Sequence, residues 1–193
     1  MLLSFLHYNI TLVVIFTTLY SYGNFLLNLF KLNDNKNLFF KILTGYTFVC
    51  ITTVIVHFFF KISNEFSILL ILAGLIIFFI NRNRYFKKKY WFSLLLLIII
   101  SPLLFAYSSH PIDSNMYHHP YVSYLKSEKI ILAITNIQFR FGHISFLQYA
   151  QAALTNDYLH TISLASINII FYFSFVYYIS KDIFLKKKFD YVL

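Results

Sequence analysis

Residues 90–120 read YWFSLLLLIIISPLLFAYSSHPIDSNMYHHP, and the change of character within them decides the fold. Tyr90–Tyr107 carries no charge and is long enough to cross a membrane, since a helix needs roughly 17–25 apolar residues to span the hydrocarbon of a bilayer. From Ser108 the chain turns polar and stays so to about His160, passing through N-I-Q-F-R-F-G-H-I-S-F-L-Q-Y at 136–149. Five of the 7 histidines fall in this stretch (His110, His118, His119, His143 and His160), together with Asp113 and Arg140. Apolar runs on both sides require the polar stretch to gather on one membrane face.

Composition agrees. The 193 residues are 59% hydrophobic and only 12% charged, with a mean hydropathy of +0.68. A soluble domain carries about 25% charged residues, so the chain reads as a membrane protein. The 21% aromatic content accompanies abundant Ile, Asn and Lys and few Gly, Pro or Arg, a codon-bias pattern; the aromatics read as packing, not as a ligand box. The lone Cys50 has no disulfide partner and reads as an ordinary buried residue. The N-terminus M-L-L-S-F-L-H lacks a basic leader and a small-residue cleavage site, so the first apolar run is expected to be retained.

Further spans follow at Leu2–Tyr22, with Asn24–Phe30 as an interfacial extension, and at Leu38–Phe60. Phe66–Ile80 is short, and Tyr158–Ile179 is the last; Pro102 is expected to kink the Tyr90–Tyr107 helix unless neighbours satisfy the freed backbone. Twelve of the 16 basic residues fall around the first short loop (Lys31, Lys36, Lys41), in the 81–90 loop (Arg82, Arg84, Lys87, Lys88, Lys89) and in the tail (Lys181, Lys186, Lys187, Lys188). Positive loops mark the cytoplasmic side, so the N-terminus and the 108–160 stretch are expected outside. The expected class is all-α, a polytopic transmembrane helix bundle of about five spans with an external loop carrying short interfacial helices. Its parts are 1–107 (four transmembrane helices), 108–157 (external, periplasmic-side loop) and 158–193 (fifth helix and basic cytoplasmic tail). The expected place is the bacterial cytoplasmic (inner) membrane. The +9 net charge then follows from topology, with anionic membrane lipid as its partner and not nucleic acid.

Within the loop, Pro111 and Pro120 bracket a turn, and a short helix is expected to start near Tyr117 or His118 so that Pro120 sits in its first turn. Tyr117, Tyr121 and Tyr124 would share a face of that helix with Leu125 beside them, which suits an anchor lying at the headgroup level. Asp113 is the candidate general base, close to a low-dielectric surface that raises a carboxyl pKa; a solvated loop acid or helix cap is the plain alternative. Arg140, between two phenylalanines, offers a fork for phosphate, or simply a headgroup contact. The histidines and Asp113 are of metal-ligand type, but their spacing matches no metal framework, so no cofactor is expected and a divalent metal is unsupported. His57, inside the second span, is expected to pair with a neighbouring helix.

The stretches D-S-N-M-Y-H and N-I-Q-F-R-F-G-H-I-S resemble the external loop of a group of poorly characterised bacterial multi-pass proteins, similar in turn to the C-superfamily of membrane glycosyltransferases. The resemblance covers about 108–150. It implies transfer of a sugar from a polyprenyl-phosphate donor to a glycan or lipid acceptor on the outer face of the membrane. Asp113 would be catalytic, with the aromatic Tyr117 four positions on. Tyr117, His118, His119, Asn136 and Arg140 would bind substrate. Ser114 stands where such enzymes often carry a second acid, and they commonly have more spans, so the chain is expected to be such an enzyme or its N-terminal portion. The alternative is a non-catalytic membrane subunit that binds lipid-linked glycan or partner helices.

Overall fold

A computed structural model describes residues 2–32, 37–82, 88–107, 118–130, 146–159 and 162–186. Among these residues there are seven α-helices and no strand: α1 Leu2–Leu29, α2 Leu38–Phe59, α3 Asn64–Ile80, α4 Lys88–Tyr107, α5 His119–Ser127, α6 Phe146–Leu154 and α7 Ile162–Lys186. The expected spans correspond to α1, α2, α3, α4 and α7. The interfacial extension is absent as a separate element, because α1 runs unbroken to Leu29. It stops in a C-terminal motif in which Leu32 N–H reaches the Leu27 carbonyl (2.7 Å) and Lys31 N–H reaches that of Asn28 (3.0 Å). This cap places Lys31 in the left-handed region at φ 56°, where glycine is the usual occupant.

Two helices, at Phe5–Leu29 and Leu38–Phe59, are long and apolar enough to cross a membrane; Asn64–Ile80, Tyr90–Ser101 and Ile167–Ser180 are shorter apolar helices. The side-chain distribution is that of a bundle with an apolar exterior. Ile51, Ile55, Leu69, Ile76, Phe92, Leu95, Ile99 and Tyr172 all point outward, whereas Thr11, Thr17, Thr18, Ser21, Thr53, Ser67, Ser93, Ser101 and Ser174 are buried. Small hydroxyls inside and large hydrocarbons outside suit a lipid surround, where close helix contact and not exclusion from water drives packing.

Helix α1 is the centre, packed most extensively on α2, then on α3, α7 and α4. Its crossing with α2 is made by backbone against backbone at Gly23 and Gly45. A Cβ on Gly23 would run into the Lys41 carbonyl, and one on Gly45 into the carbonyl of Leu19. Gly74 of α3 likewise lies against Thr18 and Tyr22 of α1, leaving only 2.7 Å for a Cβ to Thr18 Cγ2. Helix α4 continues through Pro102. Proline lacks the N–H that would serve Ile98, and the Ser101 hydroxyl lies 2.8 Å from that carbonyl instead. The same hydroxyl is 2.8 Å from Asn9 Oδ1 of α1.

Helix α2 opens on Asn37, whose side chain accepts from Phe40 N–H (3.1 Å), and α3 opens on Ser63, which accepts from Phe66 N–H (3.3 Å) with Glu65 in the first turn. The short 60–63 link forces α2 and α3 antiparallel. The beginnings of α1, α3 and α7 therefore share one end of the bundle with the finishes of α2 and α4.

Candidate functional site

That shared end carries a cap made of α5, α6 and the 155–159 turn. Helix α5 starts at His119 with Pro120 in its first turn, as the proline requires. Of its aromatic stripe, Tyr117 lies outside the described residues, and the other members pack inside the cap. Tyr121 and Leu125 are buried and Tyr124 half-buried, all turned inward onto α6 and α2. Tyr121 meets Tyr149 inside, whereas the Tyr124 hydroxyl donates to the Lys129 carbonyl (3.2 Å) at the cap surface, so both rings bury hydrocarbon without orphaning a hydroxyl.

Helix α6 is separate from the last apolar helix, which begins at Ile162. It is inserted against α2, α3 and α7, and every residue from Gln148 to Leu154 is buried. Its first carbonyl, that of Phe146, accepts from the Cys50 thiol at 3.2 Å. At a helical rise of about 1.5 Å per residue, Cys50 lies about 14 Å below the end of α2 at Phe59. Near the other end of α6, the Ala152 carbonyl accepts from Ser67 (3.3 Å) of α3. Ala150, Ala152 and Ala153 let the backbone come this close.

His57 ties the pieces together. Its Nε2 lies 2.9 Å from the Glu128 carbonyl, which can only accept, so Nε2 carries the proton. Nδ1 then accepts from the Tyr149 hydroxyl at 3.2 Å, and Tyr149 in turn accepts from Tyr121. The Tyr124 and Tyr149 rings meet the imidazole edge-on at 6.5 and 5.5 Å between centroids. Two backbone bonds flank it: Ile130 N–H to the His57 carbonyl (3.2 Å) and Ile62 N–H to that of Leu125 (3.1 Å). Burial pushes both the Tyr121 and Tyr149 phenols up from their ordinary range.

A second polar group closes the cap rim. Lys126 Nζ donates to Asn64 Oδ1 (2.8 Å) and the Thr155 carbonyl (2.9 Å), while Asn64 Nδ2 donates to Asp157. Desolvation holds the Lys126 ammonium below the ordinary lysine range, and the Asp157 carboxylate works against that shift. Beyond the rim, His7 Nε2 donates to the Tyr158 carbonyl (2.6 Å), binding α1 to the same turn.

Of the residues singled out from sequence, Asp113, Tyr117, Asn136 and Arg140 lie outside the described residues. His118 is exposed just before α5, and His119, half-buried, is its first residue. Gln148, 6% exposed, places Nε2 3.1 Å from His118 Nδ1. An amide nitrogen only donates, so the His118 proton sits on Nε2. The expectation that His57 pairs with another helix is met, with α6 as that helix. Tyr149, Gln148, Lys126 and Asn64 were not singled out. The signal for Tyr149 was Q-Y-A-Q-A-A-L, polar residues among small ones that allow a buried helix. Among the described residues, no three His, Cys, Asp or Glu side chains gather as a metal site.

The chain belongs to a family described as a domain of unknown function (DUF8201), whose profile matches residues 1–193. No curated protein and no solved structure matches it.

Proposed function

We propose that the chain is a five-span protein of the bacterial inner membrane with its cap on the outer face. There it acts as a glycosyltransferase using a polyprenyl-phosphate sugar donor, or forms the N-terminal portion of such an enzyme. The observation that carries this reading is the cap itself: the described parts of the polar segment, 118–130 and 146–159, are pinned to one end of a bundle with an apolar exterior. Asp113 precedes His118 by five residues and Arg140 precedes Phe146 by six.

The reaction is a direct displacement. Asp113 accepts the proton of the acceptor hydroxyl as oxygen attacks the anomeric carbon, and the bond to the polyprenyl phosphate breaks with its electrons on the leaving oxygen. Arg140 receives that phosphate as a bidentate anion. His118 at the cap surface is met by Gln148 at Nδ1. In cells, Asp113→Asn is expected to lower transfer by about 100-fold or more, the usual worth of a positioned base, with normal membrane levels. Unchanged transfer favours the second reading, a subunit that binds lipid-linked glycan or partner helices without catalysis.

A further inference from the structure

We propose that His57 is the positioning residue of the cap, a latch that holds α5 and α6 on α2 only while its ring is neutral. The geometry carries this in three steps. The ring bridges two separate parts of the polar segment, accepting a hydrogen bond from Tyr149 of α6 and donating one to the Glu128 carbonyl that follows α5. In the neutral tautomer with its proton on Nε2, Nδ1 accepts from the Tyr149 hydroxyl; a second proton on Nδ1 turns that acceptor into a donor, so Tyr149 must turn its own proton away.

The surroundings offer an imidazolium no counter-charge; the Glu128 carbonyl accepts from Nε2–H in either state. His57 is 1% exposed. From α5 it is faced by Tyr124, from α6 by Tyr149, and Phe66 of α3 packs on the same apolar cluster. The charged side chains closest in sequence to His57 or to the carbonyl it binds, Lys61, Glu65, Glu128 and Lys129, are exposed to solvent. Among the described residues no carboxylate is paired with the ring. A buried charge without a counter-charge is costly enough to move structure, and histidine is the side chain that meets this condition between pH 5 and 8. Protonation therefore releases Tyr149 and with it α6, whose other end rests on Cys50. The latch depends on this geometry and not on glycan transfer.

Cys50, the 1 cysteine of the chain and 1% exposed, is a built-in reporter of α6. The test follows its alkylation by a small uncharged maleimide, on the full chain in lipid nanodiscs. His57→Gln is the reference, since its amide keeps a donor and takes no proton; the ratio of the two rates at each pH cancels the ionisation of the thiol. At about pH 8 both proteins are expected to react at the same slow rate, and at about pH 5 the wild type roughly tenfold faster, the factor a lost buried hydrogen bond is worth. A ratio that stays constant across this range overturns the latch. Tyr149→Phe keeps the ring and deletes the hydroxyl, and it is expected to speed alkylation already at about pH 8. Alkylation as slow as in the wild type overturns the latch from that side. Because transfer is not read, failure of the latch and failure of the Asp113 chemistry are separate results.

Discussion

Lys126 shows how the cap end manages polar groups one at a time. Its ammonium is partly withdrawn from water and satisfied by Asn64 and the Thr155 carbonyl, with Asp157 beyond. Lys126→Ala leaves both acceptors short of a donor and is expected to cost about 1 kcal/mol, a modest figure because the site is half open to solvent. Thermal unfolding in detergent checks this. The same residues set an alkaline profile. Lys126 loses its proton at lower pH in the folded chain than in the unfolded one, so stability rises with pH up to the ordinary lysine value of 10.5. Tyr121 and Tyr149 act in the opposite sense. Their folded values are raised, so stability is intact below the ordinary 10.0 and falls as pH climbs past it. The double variant Tyr121→Phe, Tyr149→Phe is expected to flatten that fall, and an unaltered alkaline melting curve would show the phenols ionising freely. His57 was legible as a residue in need of a partner. The partner's identity was not, because it comes from a helix 92 residues away in sequence.

Among the elements, the α1–α2 crossing is the most demanding. Gly23 and Gly45 bring two backbones into contact, and an added methyl on either would strike a carbonyl of the facing helix. Gly23→Ala and Gly45→Ala are each expected to destabilise the protein by about 1–3 kcal/mol, the range for overpacking. The double variant should cost less than the sum, since one displacement of the helices relieves both clashes. Additive losses would mean the two sites are relieved independently. Helix existence was easy to read from runs of apolar residues, and α1, α2, α3, α4 and α7 lie where those runs predict. Helix α6 was harder. Its sequence is less apolar than a span and too amphipathic for a deep core, so hydropathy pointed to the surface. What sends it inward is a set of single contacts from Cys50, His57 and Ser67 that no local pattern encodes.

For the whole molecule, the charge pattern and the packing bear on one topology. Lys31, Lys41 and Arg82 lie at the end of the bundle opposite the cap. That end faces the cytoplasm in the proposed orientation, in keeping with the positive-inside rule. In a Cys50→Ala background, a cysteine at Ser114 is expected to react with a membrane-impermeant reagent from the outer face, and one at Asn81 only after the membrane is opened. Reaction of Ser114→Cys from the cytoplasmic side alone would invert the topology and remove the proposed donor site from the outer face. Asp113 and Arg140, read from sequence as base and phosphate fork, lie outside the described residues.

The sequence by itself determined the all-helical class, the order of the apolar helices and the gathering of polar residues between α4 and α7. These follow from composition and run length, which are properties of contiguous residues in a medium of fixed thickness. The tertiary structure alone decided that the polar segment folds back onto the bundle, that α6 is driven beside Cys50, and that the tyrosine stripe turns inward to His57. Those outcomes depend on satisfying buried donors and acceptors from distant parts of the chain, and such pairing is written in no single stretch of it.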